Sequence, residues 1–172
     1  MNVPVFRHRA SWLTLAALAG VLVLAGCDPQ KIAKLEEGVA TEMDVMREFG
    51  TPADIRREAD GTRVFEYTRQ PEGWTNYFIT IGPDGKMTAL RQVLHPKYFE
   101  QVRPGMSVAE VRALLGRPAV KEAYALKKEE VWDWRWLDGP SRKLFRVTFD
   151  FDGRVVSAAT LDDPRELHQG GR

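Results

Sequence analysis

One side chain in this 172-residue sequence is a nucleophile with a context that gives it work. Cys27, the sole cysteine, closes Leu24-Ala25-Gly26-Cys27 at the end of an apolar run that starts at Trp12. Small residues at Ala25 and Gly26 let an extended backbone enter a peptidase groove, and the Cys27 thiol then serves as the acceptor of a diacylglyceryl group. The run follows Arg7, His8 and Arg9, is short for a membrane-spanning helix and ends in small residues, as an export signal does. Processing before Cys27 leaves a lipid-anchored body in which no disulfide can form within the chain.

The remaining candidates for chemistry are sparse. His95 stands beside Pro96 and His168 lies in the tail, neither with a neighbour at metal-ligand spacing. Asp150-x-Asp152-Gly153 has the start of a calcium loop without its later ligands, and fits a turn between strands better. No serine sits in a nucleophile elbow, and no glycine-rich loop precedes a helix as a phosphate cradle would. The reading is of a chain that is not an enzyme, with no cofactor and no metal. Charge is balanced, 25 basic against 24 acidic residues, which points away from nucleic acid and from a polybasic membrane patch. Anchoring therefore falls to the lipid.

The elements that must position these residues occur twice. Glu37-Gly38-Val39-Ala40-Thr41 through Phe49-Gly50-Thr51-Pro52 is echoed by Pro104-Gly105-Met106-Ser107 through Leu115-Gly116-Arg117-Pro118, and the echo continues in Phe65-Glu66-Tyr67 against Trp132-Asp133-Trp134. Ile79-Thr80-Ile81 answers to Val147-Thr148-Phe149, and Asp84-Gly85-Lys86-Met87 to Asp152-Gly153-Arg154-Val155, about 67 residues apart throughout. Each copy starts with a short helix, carrying Ile32 and Leu35 or Tyr98, Phe99 and Val102, that ends near Gly38 or Gly105. A second helix opens on Thr41 with Asp44 or Ser107 with Glu110, both capping-box spacings, and ends at Gly50 or Gly116 with proline two residues on. Val45, Met46 and Phe49, then Val111, Leu114 and Leu115, form the apolar stripes.

After each helix pair the period changes to two, in Phe65 and Tyr67, Tyr77 to Ile81, Trp132 to Trp136 and Phe145 to Phe151. Asp-Gly pairs supply the turns, so each copy reads as an antiparallel meander of three or four strands with helices on one face. The fold class is α+β, two tandem ααβββ(β) units. The expected division is residues 1–26 export signal, 27–95 first unit, 96–162 second unit and 163–172 polar tail, the tail frayed.

Aromatic residues supply the binding candidates. Trp132 and Trp134 align with Phe65 and Tyr67 and read as core. Trp136 aligns with the polar Arg69, and Trp74 sits in a Pro-Glu-Gly-Trp loop, so these two are expected to be exposed for a partner. Arg69 and Arg135 are candidates to present charge to that partner or to lipid headgroups. Lys127-Lys128-Glu129-Glu130 has mixed signs and reads as a solvated loop.

Two resemblances add to this. Leu24-Ala25-Gly26-Cys27 resembles a bacterial lipobox. Gly-Met-Ser, a helix, Leu-Gly-x-Pro and strands ending in Phe-Asp-x-Asp-Gly-Arg-Val resemble the BamE (SmpA/OmlA) lipoprotein family, once over residues 29–95 and again over 96–162. The resemblance implies a non-catalytic ααβββ lipoprotein domain facing the periplasm, serving outer-membrane β-barrel assembly or envelope integrity, with a barrel-assembly subunit or another envelope protein as partner. The pattern occurs twice here, where the assembly subunit has it once. The tandem also resembles the architecture of β-lactamase inhibitory protein, whose sheets grip another protein. Asp28, next to the lipid-bearing residue, resembles the retention signal of enteric inner-membrane lipoproteins, so the family resemblance implies the outer membrane and Asp28 the inner. An inhibitor-like or sensor-like binding lipoprotein at the inner membrane is the alternative reading.

Overall fold

Residues 28–167 are described by the structure, a computed structural model; the expected export signal, Cys27 and His168 lie outside the described residues. Each half of the chain runs helix, helix and four strands. The first comprises α1 (Asp28–Ile32), α2 (Glu42–Phe49), β1 (Asp54–Arg57), β2 (Arg63–Thr68), β3 (Asn76–Ile81) and β4 (Met87–Gln92). The second comprises α3 (Pro96–Phe99), α4 (Val108–Leu115), β5 (Val120–Tyr124), β6 (Glu129–Asp138), β7 (Ser141–Asp150) and β8 (Val155–Asp162), followed by α5 (Pro164–Leu167). The strands form two separate antiparallel meanders, β1-β2-β3-β4 and β5-β6-β7-β8.

The duplication extends to individual hydrogen bonds. Thr41 and Ser107 both close full capping boxes, with Asp44 and Glu110 reaching back to the cap N–H at 2.9 and 2.7 Å. The Thr41 hydroxyl and N–H hold the Asp44 carboxyl down at about 2, and the Ser107 N–H and hydroxyl push the Glu110 carboxyl below its ordinary value. Helices α2 and α4 stop at Gly50 and Gly116, at φ 84° and 75° with extended ψ, a backbone region that side chains rarely enter. In each copy an aromatic residue on the second strand then donates to that glycine's carbonyl, Tyr67 Oη to Gly50 at 3.1 Å and Trp134 Nε1 to Gly116 at 3.0 Å. A ladder irregularity falls at Thr80/Ile81 in one sheet and at Thr148/Phe149 in the other.

The inner faces follow the period-two reading. Phe65, Tyr67, Tyr77, Ile79 and Ile81 are buried with Val45 and Phe49, while Trp132, Trp134, Phe145, Val147 and Phe149 are buried with Val111 and Leu115. Met46 departs from the expected stripe and is exposed, because α2 has only two turns and turns just Val45 and Phe49 inward. Helices α1 and α3 are shorter than expected, and Leu35 and Val102 pack from the turns that follow them. His95 is the N-cap of α3, its Nδ1 accepting from the Lys97 N–H.

The halves are joined by more than a connector. The outer face of the first sheet carries Phe78 into the core of the second half, beside Val93, Val111 and Leu115, with Val64 packed alongside. That face also holds two buried polar side chains aimed at the end of α4. Glu66 accepts from the Arg112 guanidinium at 2.6 Å and from the Arg117 N–H at 2.7 Å. Asn76 donates to the Leu115 and Arg117 carbonyls, both at 2.9 Å. Helix α4 thus serves both sheets, covering the second with Val111 and Leu115 and the first with its C-terminal turn. Gly116 sits at the crossing, where a Cβ would meet Asn76 Nδ2 at 3.0 Å and Glu66 Oε1 at 3.1 Å.

Candidate interaction surface

The loop between β2 and β3 gathers most of the residues singled out in the sequence. Gly73 N–H donates to the Arg69 carbonyl at 2.6 Å, and a Cβ on Gly73 would lie 2.5 Å from Arg69 Cβ, so only glycine closes this turn. The Gln70 side chain reaches the second half and completes a strand-like pair with Arg135. Gln70 Nε2 donates to the Arg135 carbonyl at 2.8 Å, and the Arg135 N–H donates to Gln70 Oε1 at 3.1 Å. This position on β6 lies just past the end of its pairing with β5, so the amide occupies backbone groups that would otherwise lack partners.

Trp74 follows that turn and is half-buried, its ring flanked by the guanidinium carbons of Arg165 at 5.2 Å and Arg142 at 5.4 Å. Arg135 does not present charge outward. Its guanidinium donates to the Pro71 carbonyl and lies 3.7 Å from Asp163. Asp163 itself is buried, paired with Arg165 at 3.0 Å; burial raises its pKa, but the Arg165 hydrogen bonds and the Arg165 and Arg135 charges outweigh this and leave it lowered. The start of the tail is therefore tied down rather than frayed, because Asp163 and Arg165 fold it onto the Trp74 loop. Arg69 pairs with Asp28 at 3.0 Å, fixing α1 to the same loop.

Trp136 corrects the expectation of an exposed ring. It is 4% exposed, its ring edge-on to Phe99 at 5.0 Å, because β6 runs on to Asp138 and α3 covers that stretch. Alignment with Arg69 misleads here, since the first copy's strand has already ended at Thr68. Trp132 and Trp134 are core, as expected. The structure thus brings Asp28, Arg69, Trp74 and Arg135 together around one loop and sends Trp136 elsewhere. Sequence reasoning missed Glu66, Gln70, Asn76 and Asp163; Gln70 within the Arg69-Gln70-Pro71 turn carried no signal that it would bridge the halves.

Asp150 acts as a turn residue, its Oδ1 accepting from the Asp152 and Arg154 N–H groups at 3.0 and 2.9 Å. Among the described residues no group of three or more His, Cys, Asp or Glu is placed to hold a metal ion, and no helix is long and apolar enough to cross a membrane.

The chain matches no family profile and no curated protein. Solved structures with some likeness include a candidate osmotically inducible lipoprotein, OsmE, at 23% identity over 45% of this chain and 90% of the other, with a TM-score of 0.36. YjgB, a DUF4309 protein of Bacillus subtilis subsp. subtilis str. 168, is 16% identical over 78% of this chain and 86% of its own, with a TM-score of 0.32. A candidate β-lactamase inhibitor protein from Streptococcus mutans is 14% identical over 78% and 95%, with a TM-score of 0.31. Overlays this loose do not define a shared fold.

Proposed function

We propose that this chain is a non-enzymatic protein-binding lipoprotein of the bacterial envelope, lipidated at Cys27, facing the periplasm and serving outer-membrane β-barrel assembly or envelope integrity. The observation that carries the reading is the Arg69–Thr75 loop: it holds Trp74 at the surface between two arginines and, through Arg69 and Asp28, lies beside the point where the lipid-bearing segment joins the body. A half-buried tryptophan set among arginines is the composition of a protein-contact hot spot. The lipid supplies local concentration, so modest contacts at this loop suffice.

Crosslinking in intact cells, followed by recovery of the full-length protein and separation of the two membranes, tests both parts. Recovery of barrel-assembly subunits from the outer membrane, lost in Trp74→Ala with folding intact, supports the proposal. A reproducible partner at the inner membrane would instead favour an inhibitor-like or sensor-like module there. If palmitate labelling of wild type and Cys27→Ser is the same, lipidation at Cys27 is wrong.

A further inference from the structure

The four edge strands of the two sheets are not protected alike. Strand β1 is four residues long and reads Asp-Ile-Arg-Arg, and β5 places Lys121 and Glu122 mid-strand; short length and charge both discourage further pairing. Strand β4 is closed by a side chain, because Glu37 Oε1 accepts from the Leu90 N–H at 3.1 Å. Strand β8 is eight residues long, seven of them exposed, and uncharged from Val155 through Leu161.

The repeat explains why β8 is open. Both last strands are held at their start by the same backbone bonds, Gly38 N–H to Met87 and Met87 N–H to Ala40, then Gly105 N–H to Val155 and Val155 N–H to Met106. The residue before Gly38 is Glu37, which reaches on to Leu90; the residue before Gly105 is Pro104, which has no acceptor to reach with. The counterpart of Leu90, which faces Ile79, is Ala158, which faces Val147. Small residues there leave a groove of about 330 Å³ between β8 and α3, lined by Phe99, Val102, Phe145, Ala158 and Thr160.

The direction of the free backbone groups follows from the ladder. Asp163 N–H donates to the Arg142 carbonyl, so by antiparallel alternation Leu161, Ala159 and Ser157 bond to β7. Ala158, Thr160 and Asp162 then turn their N–H and C=O groups to the open side. We infer that β8 is a self-association edge, pairing antiparallel with β8 of a second copy about a two-fold axis at Thr160. In this register Thr160 faces Thr160 of the second copy, Ala159 faces Leu161 and Ala158 faces Asp162. A Thr–Thr pair is favourable, small residues oppose larger ones and no like charges meet. The added strand roofs the groove beside α3, and the isologous contact closes as a dimer.

Sedimentation of the full-length chain in non-ionic detergent, over a concentration series, tests this. Thr160→Pro removes only an outward N–H, which an edge strand tolerates, and Pro104→Glu restores the acceptor that closes β4. A reversible dimer whose Kd rises about tenfold or more in both variants, with unchanged circular dichroism, is the expected result. A monomer at every concentration up to about 100 μM, or a dimer that neither variant weakens, overturns the inference. Should Thr160→Pro fail to fold, Pro104→Glu alone decides.

Discussion

Glu66 is the residue on which the two halves depend most, and its surroundings set the sizes of the expected effects. It is nearly fully buried and serves two donors of the second half, so Glu66→Ala should cost about 3 kcal/mol in denaturant unfolding. Glu66→Gln, which keeps an acceptor for the Arg117 N–H, should cost less. Gly116→Ala should also destabilise, both through its positive φ and through collision with Asn76 and Glu66. Asp163 gives a pH signature. Its pKa is lowered in the folded state, so its stabilisation is present above the unfolded value of about 3.8 and is lost as pH falls through the folded value. The acid limb of the stability curve below pH 4 should therefore be shallower in Asp163→Asn, as thermal melts across that range would reveal. Apart from the helix stop at Gly116, none of these roles was legible beforehand. Glu66 between Phe65 and Tyr67 reads as the solvent side of a strand, and its burial comes from a helix more than forty residues away.

At the scale of elements the sequence was far more informative, because helix caps and strand alternation are local. The two capping boxes, the glycine stops and the inner faces of the central strands were all readable from spacing. Ser107→Ala should cost about 1 kcal/mol, measurable by chemical denaturation, since Ser107 Oγ accepts from the Glu110 N–H at the head of α4. The edge strands β1 and β5 were less readable, because solvent-exposed strands such as Asp54–Arg57 carry no apolar alternation. Trp136 was misread for a related reason: β6 outlasts its counterpart by several residues, and an alignment of copies cannot see an extension present in only one.

For the whole molecule the duplication has produced one cooperative body rather than two beads. Because α4 is part of the second core and its end is bonded to the outer face of the first sheet, wild type should melt in a single calorimetric transition with calorimetric and van't Hoff enthalpies equal. Phe78→Ala, which removes the ring that the first sheet places in the second core, should split or broaden that transition as well as lower its midpoint. The shared helix also imposes an order in time. The partners of Glu66 and Asn76 lie 39 to 51 residues downstream. The last of these partners, Arg117, lies 25 residues beyond Gln92 at the end of β4, so in a chain that emerges N-terminus first there is an interval in which the first sheet is complete and its outer face is uncovered. Phe78 and the Glu66 carboxylate must wait in that interval, which makes the half-finished chain, rather than the finished protein, the form most in need of a holding chaperone.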